Sequence, residues 1–402
     1  MNHSASTPPD DRLARRNVVL LAIGSALAGA NAAVVFATGA IVGSMLAPDP
    51  AYATFPVSMF VVGMAAGTLP NGWISRHYGR RVAMMTGTVM GMLIGLFAML
   101  AVIYQSFSLY CVATFFGGLY ASVAQSYRFA AADTASDAFK PSAISWVMAG
   151  GVFAGVLGPQ LVNMTMNLSV HLFAASYAAQ IVVAIIAFFV VSRVDIPKPV
   201  VGKGTGGRPL GEIIAQPKFI AAALCGVTSY ALMNLIMTSA PLAMRMCGHS
   251  LTDSNNAIQW HVLAMYGPSF FTGNLINRFG TSRVIAAGLL LLAAAAVVDI
   301  AGLTVWHFWI GLILLGVGWN FGFIGASAMV TQCHRPEERN KVQSFNDFLI
   351  FGMMAIGSFS SGQMLATLGW NSVNLVVFPP LILAGVALVW LSVKTRQGSA
   401  TA

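Results

Sequence analysis

A chain with twelve long apolar stretches, nearly free of charge, has few folds open to it. The stretches run at roughly 17–45, 53–74, 82–104, 107–131, 142–166 and 171–193, then at 219–246, 254–276, 284–304, 306–331, 342–366 and 371–393. At about 1.5 Å per helical residue, each can cross about 30 Å of hydrocarbon. Of the 402 residues only 8% are charged and 57% are hydrophobic, whereas about a quarter of a soluble domain is charged. This excludes a soluble enzyme and a disordered chain. The expectation is an all-α membrane protein of twelve transmembrane helices seated in a lipid bilayer. Four cysteines are too few for a disulfide scaffold.

The apolar pattern breaks once, at roughly 194–218. This segment holds Lys198, Pro199, Lys203 and Pro209 with Gly202, Gly204, Gly206 and Gly207. It reads as a solvated linker joining two six-helix halves, 1–193 and 219–402. Gly202-Lys203 lacks the spacing of a phosphate-binding loop, so no nucleotide site is expected.

Charge sets the orientation. Arg12, Arg15 and Arg16 precede an apolar run of about 28 residues, too long for a signal-peptide core, so this is a retained first span. With the N-terminus inside, 20 of the 21 Lys and Arg residues fall on the inner side, and Arg245 is the exception. Such asymmetry predicts both termini in the cytoplasm. The net charge of +9 is therefore an orientation signal and does not imply a nucleic-acid partner.

The two halves repeat a motif. Gly72-Trp73-Ile74-Ser75-Arg76-His77-Tyr78-Gly79-Arg80-Arg81 follows the second span. Gly273-Asn274-Leu275-Ile276-Asn277-Arg278-Phe279-Gly280-Thr281-Ser282-Arg283 follows the eighth, 201 residues later. Both copies resemble the loop signature of the major facilitator superfamily, Gly-x-x-x-Asp-Arg-x-Gly-Arg-Arg. Gly151, Gly155, Gly158 and Pro159 are similar to that superfamily's glycine-proline motif in the fifth span. The resemblance covers essentially the whole chain. It implies two pseudo-symmetric halves that rock about a site near the bilayer midplane, lined by the first, fourth, seventh and tenth helices. The superfamily's Asp is Arg76 in one copy and Asn277 in the other, which puts the usual charge lock in question.

Fold says little about cargo. Methionine is abundant, with 21 copies, and most of them suit core filling. Met233 and Met237 share one face of the seventh span, and His261 and Met265 share one face of the eighth. Counted inward from the outer edge, Met237 and Met233 lie about 14 and 20 Å deep, and His261 and Met265 about 10 and 16 Å. Three thioethers and an imidazole form a soft, uncharged ligand set that suits Cu(I). An ionisable His inside a span is itself a functional signal. The pattern Met-x-x-x-Met with His-x-x-x-Met resembles the CcoA-like copper importers of the superfamily. That resemblance implies that Met233, Met237, His261 and Met265 bind copper as transported substrate. It also implies import toward a cytoplasmic copper chaperone and the supply of haem–copper cytochrome c oxidase.

Met244, Met246, Cys247 and His249 at the outer end of the seventh span are candidates for metal capture, and Cys225 and Cys333 for relay as thiolates. Arg128, Asp133 and Asp347 are candidates for coupling or for an ion pair, and Asp299 has no assigned role. No nucleophile–base pair or paired carboxylates can be placed, so no enzyme activity is expected. A monomer without a resident cofactor is the simplest expectation. The competing reading is a proton-coupled exporter of a lipophilic organic compound, with the methionines as an adaptable apolar pocket.

Overall fold

The computed structural model describes residues 11–49, 52, 55–197 and 207–400. Among them the only regular structure is helix, apart from turns. The first half holds α1 (Arg12–Leu46), α2 (Phe55–Tyr78), α3 (Arg80–Ile103), α4 (Phe107–Gln125), α5 (Tyr127–Ala132), α6 (Lys140–Thr165) and α7 (Ala174–Val191). A short α8 (Leu210–Ile214) leads into α9 (Pro217–Met246), α10 (Leu251–Tyr266), α11 (Ser269–Phe279), α12 (Thr281–Ala301), α13 (Val305–Val330), α14 (Arg339–Leu375) and α15 (Phe378–Ala400).

Ten segments among the described residues are long and apolar enough to cross a membrane. The expected spans at 254–276 and 342–366 fall short of that measure, for different reasons. The first is broken at Gly267-Pro268 into α10 and α11, because proline offers no N–H to continue the helix. The second is the polar first part of α14, which carries Asn340, Lys341, Gln343, Asn346 and Asp347. α14 runs on through Gly369, whose φ of 77° suits a residue without a Cβ and turns the chain into the twelfth span. Counted this way, twelve crossings form a multi-pass membrane bundle.

The helices alternate direction, so the Arg- and Lys-bearing ends gather at one end of the bundle, called here the basic end. Gly79 and Gly280, with φ of 94° and 86°, make the equivalent turns there between α2 and α3 and between α11 and α12. The expected linker is only partly described: Lys198, Pro199, Gly202, Lys203, Gly204 and Gly206 lie outside the described residues. Its described flanks are docked against the bundle. Val194 and Ile196 are buried, and Asn17 Nδ2 donates to the Asp195 carbonyl at 2.7 Å. Arg208 pairs with Glu338 at 2.7 Å.

The halves meet chiefly through α2 against α14 and α6 against α10 and α11. A Cβ at Gly72 would strike Ser344, and one at Gly273 would strike Ser142. Nearer the middle, Gly151 of α6 lies against the Tyr266 ring. Small residues at these points let two helix backbones approach closely, the usual means of helix association in lipid.

Candidate functional site

The central constellation starts where α4 breaks. Ser126 separates α4 from α5, and beyond it the chain turns Arg128 inward. Arg128 is fully buried. Its guanidinium bonds Asp347 Oδ1 of α14 at 2.5 Å and Ser327 Oγ of α13 at 3.0 Å, and it also donates to the Gln125 carbonyl. The same group lies over the rings of Phe129 and Phe323, at 4.3 and 4.6 Å. A guanidinium so desolvated is held by its partners, and removing one of them would cost about 3–5 kcal/mol.

Beside this pair stands an aromatic cluster. Tyr230 of α9 meets Trp319, Phe323 and Phe351 edge-on, with centroids 5.5, 5.0 and 5.5 Å away. Trp319 stacks on Phe323 at 5.2 Å, and Tyr266 meets Trp319 edge-on at 5.5 Å. Gln125 Nε2 reaches the Tyr230 hydroxyl from the other half at 3.4 Å. Tyr230 is thirteen residues from the start of α9, about 20 Å along a helix of about 45 Å. The cluster therefore sits near mid-depth, between the halves.

Several polar atoms around it are buried without a hydrogen-bond partner among the described residues. They include Ser229 Oγ and Asn234 Nδ2 of α9, Trp319 Nε1, Asn71 Oδ1 of α2 and Asn346 Oδ1 of α14. In lipid or protein interior, each such group costs free energy until something pairs with it. Ser229 and Asn234 lie on α9 with Tyr230, and Trp319 belongs to the cluster itself, whereas Asn71 and Asn346 lie about 10 Å from the basic ends of their helices.

Tyr230, Asn234, Pro241 and Arg245 recur at helical spacing on one face of α9, and Arg245 is exposed at its end. On α1 the exposed Val19, Ile23 and Ile41 share one face. Phe36, half exposed and edge-on to Phe60 at 5.2 Å, lies on the far side, between the faces that meet α2 and α6.

The basic end is closed by charge. Arg80 Nε bonds Asp133 Oδ2 at 2.9 Å, Arg339 from the other half reaches the same oxygen at 3.5 Å, and Arg80 also donates to Gln343 across the interface. Asp133 thereby supplies the acid that the loop motif lacks, and Asn277 of the second copy donates to the Ala138 carbonyl at 3.0 Å. Of the three acid and base candidates, Arg128 pairs with Asp347, and Asp133 belongs to this separate lock.

The methionine–histidine set is placed as follows. Met233 and Met265 are buried and Met237 is half-buried, all packed in or against the main core. His261 is fully buried, and its Nδ1 is 2.7 Å from the Leu312 carbonyl of α13, while Nε2 has no hydrogen-bond partner. Met244 is core, Met246 and Cys247 are exposed, and His249 Nε2 bonds the Leu303 carbonyl at 2.7 Å. Cys225 Sγ faces the Ala384 carbonyl at 3.9 Å and Cys333 Sγ the Met329 carbonyl at 3.3 Å. Asp299 is buried in the last turn of α12, beside Gly311. Among the described residues no three His, Cys, Asp or Glu side chains come together as a metal site would need.

Comparison with known proteins settles the family. The Major Facilitator Superfamily model matches residues 20–255 and 223–402. The chain belongs to the major facilitator superfamily. Its fold agrees, with a TM-score of 0.80 to the proton:xylose symporter XylE at 12% identity, over 94% of this chain and 95% of that one. It is a multi-pass membrane transporter and not an enzyme. It is 47% identical over 399 residues to the riboflavin transporter RfnT of Brucella anthropi, covering 98% of this chain and all of the relative. It is 28% identical to the uncharacterized MFS-type transporter YdeG of Bacillus subtilis, over 93% of this chain and 91% of that one.

The match to RfnT overturns the expected copper importer. Similarity at that level over nearly the full length places the chain beside a transporter named for riboflavin, not beside CcoA. Copper import falls with that resemblance, and metal binding and the oxidase supply are left without support. The physical reason for the misreading is that methionines four apart on a buried helix serve a core as well as they serve a soft metal. The candidate site residues that sequence reading did not single out are Gln125, Tyr230, Asn234, Tyr266, Trp319, Phe323 and Phe351. Only their places on the expected lining helices and on the eighth and eleventh spans signalled them.

Proposed function

We propose that this protein is a secondary transporter of riboflavin or a closely related flavin. The observation that carries the reading is the mid-depth aromatic cluster around Tyr230, with the hydroxyl of Ser229, the amide of Asn234 and the indole N–H of Trp319 on the same two helices. A flavin has a flat, three-ring body, a polar pyrimidinedione edge and a polyol chain, and it is uncharged at neutral pH. Aromatic faces suit the ring body. Unpaired donors and acceptors suit the polar edge and the hydroxyls. No spare charge is needed, and the Arg128–Asp347 pair is already satisfied internally. Similarity to RfnT supports the same cargo, and it favours the organic-solute alternative over the metal one.

The proposed mechanism is alternating access between the halves 1–193 and 219–402, with 194–218 as the connecting strap. By the charge rule the basic end is cytoplasmic, as are both termini, in the bacterial inner membrane. The described state then has its cytoplasmic end tied by the Asp133 pairs. Substrate enters past Phe36 and α9, settles on the aromatic floor, and the Asp133 and Arg128 pairs part as the basic end opens. The protein acts as a monomer in the bilayer with no resident cofactor, and Met233, Met237 and Met265 serve as apolar packing.

The test is uptake of radiolabelled riboflavin by a riboflavin-auxotrophic bacterium expressing the chain. Uptake well above vector, and growth at low external riboflavin, are expected. Uptake equal to vector at confirmed membrane expression would overturn the assignment.

A further inference from the structure

We propose that a cleft at the basic end binds a phosphate ester, and that the ester is the headgroup of an anionic membrane lipid. The cleft, about 420 Å3, opens between α9, α11, α12 and α15. Lys218, Arg283, Thr281 and Ser282 supply its polar side, and Phe279 and Leu391 supply its apolar side. No acidic residue lines it. Neither Lys218 nor Arg283 has an acidic partner among the described residues, whereas Arg80, Arg128 and Arg208 each have one.

Comparison of the two halves explains why the space exists. The 201-residue offset that superposes Gly79 on Gly280 carries Arg80 onto Thr281 and Asp133 onto His334. In the first half, Arg80 is 3% exposed and locked to Asp133. In the second half a short hydroxyl side chain replaces the guanidinium and the acid is gone. What is left is a cleft with two cations that no protein anion neutralises. A cleft with such excess charge and available hydroxyls fits a monoanionic phosphate. The uncapped start of α12 adds backbone N–H groups pointing the same way.

The apolar side decides the source. Phe279 is exposed at the edge of the cleft, and from Ser392, which also lines it, the exposed face of α15 continues through Val389 and Ile382. A soluble phosphate has no use for that surface, while an acyl chain does. At the basic end of a membrane bundle, anionic headgroups are already concentrated beside Lys and Arg.

The experiment is native mass spectrometry of the purified full-length protein, released from detergent with phosphatidylglycerol or phosphatidylcholine. Wild type is expected to retain phosphatidylglycerol at least tenfold better than phosphatidylcholine. The double variant Lys218→Gln/Arg283→Gln is expected to lose at least tenfold of that retention. Ser282→Glu is a second variant at an exposed position, where an acid in the first turn suits the helix dipole. It should keep its melting temperature and still lose the lipid. Equal retention of the two lipids, or wild-type retention in both variants, would overturn the site. Displacement of phosphatidylglycerol by millimolar inorganic phosphate or glycerol 3-phosphate would overturn the lipid as occupant. None of these readouts depends on what the protein transports.

Discussion

Tyr230 is the residue on which the functional reading turns, because three aromatic rings and a glutamine from the other half converge on it. Tyr230→Ala should lower kcat/KM for riboflavin uptake at least tenfold at unchanged membrane abundance. Tyr230→Phe keeps the ring and loses only the hydroxyl that Gln125 reaches, so a loss under about tenfold is expected, in line with one net hydrogen bond of about 0.5–1.5 kcal/mol. Met237→Leu conserves volume and should leave riboflavin uptake within about twofold, since such swaps cost less than about 1.5 kcal/mol. A separate residue-scale test uses acid. Hydrogen bonds from the Arg208 side chain, joined by the backbone N–H groups of Arg335 and Arg208, hold the Glu338 carboxyl down to about 2 from an ordinary 4.5. A depressed carboxyl contributes its stability above its unfolded pKa and loses it as pH falls toward the folded one. Melting temperature should therefore drop between about pH 4.5 and pH 2. Glu338→Gln should melt lower at pH 7 and lose less over that acid window, measured by thermal unfolding in detergent.

At the scale of elements, the decisive contact is α6 on α10. Gly151 leaves room for the Tyr266 ring, and Gly155 leaves room for Val262. Gly151→Leu would drive the helices apart beneath the site, so uptake should fall more than tenfold while the protein still reaches the membrane. Gly352 of α14 is the control, because a Cβ there meets nothing within 4 Å. Gly352→Ala should keep full uptake and raise stability by about 0.5–1 kcal/mol, from helix propensity alone. If both variants transport equally, the α6–α10 seam does not govern the site.

At the scale of the whole molecule, charge ties the two halves together at the basic end. Asp133 accepts from Arg80 of its own half and from Arg339 of the other, so one carboxylate ties the lock together. Asp133→Asn should shift the population toward opening at the basic end. A cysteine placed at Ser344, which is covered by Gly72, would then react several-fold faster with a membrane-permeant maleimide. Unchanged labelling would mean that helix packing, not charge, closes that end. On the proposed mechanism the Arg128–Asp347 pair parts in the same transition, which would couple the cluster to the lock.

Apolar stretches, one-sided cations and a repeated loop motif determined the membrane class, the twelve crossings and the superfamily, because hydrocarbon thickness and backbone satisfaction leave a spanning chain almost no alternative. Even there, the polar eighth and eleventh spans stood out only once α10, α11 and the first part of α14 were seen packed against other helices. The site was legible only as a set of lining helices. Which side chains meet depends on helix rotation and on contacts 100 to 220 residues apart, such as Gln125 with Tyr230 and Arg128 with Asp347. Local spacing made Met233, Met237, His261 and Met265 look like a ligand set, because four-residue spacing reports a shared face and not what that face meets. Tertiary packing decided that Asp133 stands in for the missing acid of the loop motif. It also gathered the aromatic rings at mid-depth, since only the folded bundle brings α4, α9, α10, α13 and α14 to one point.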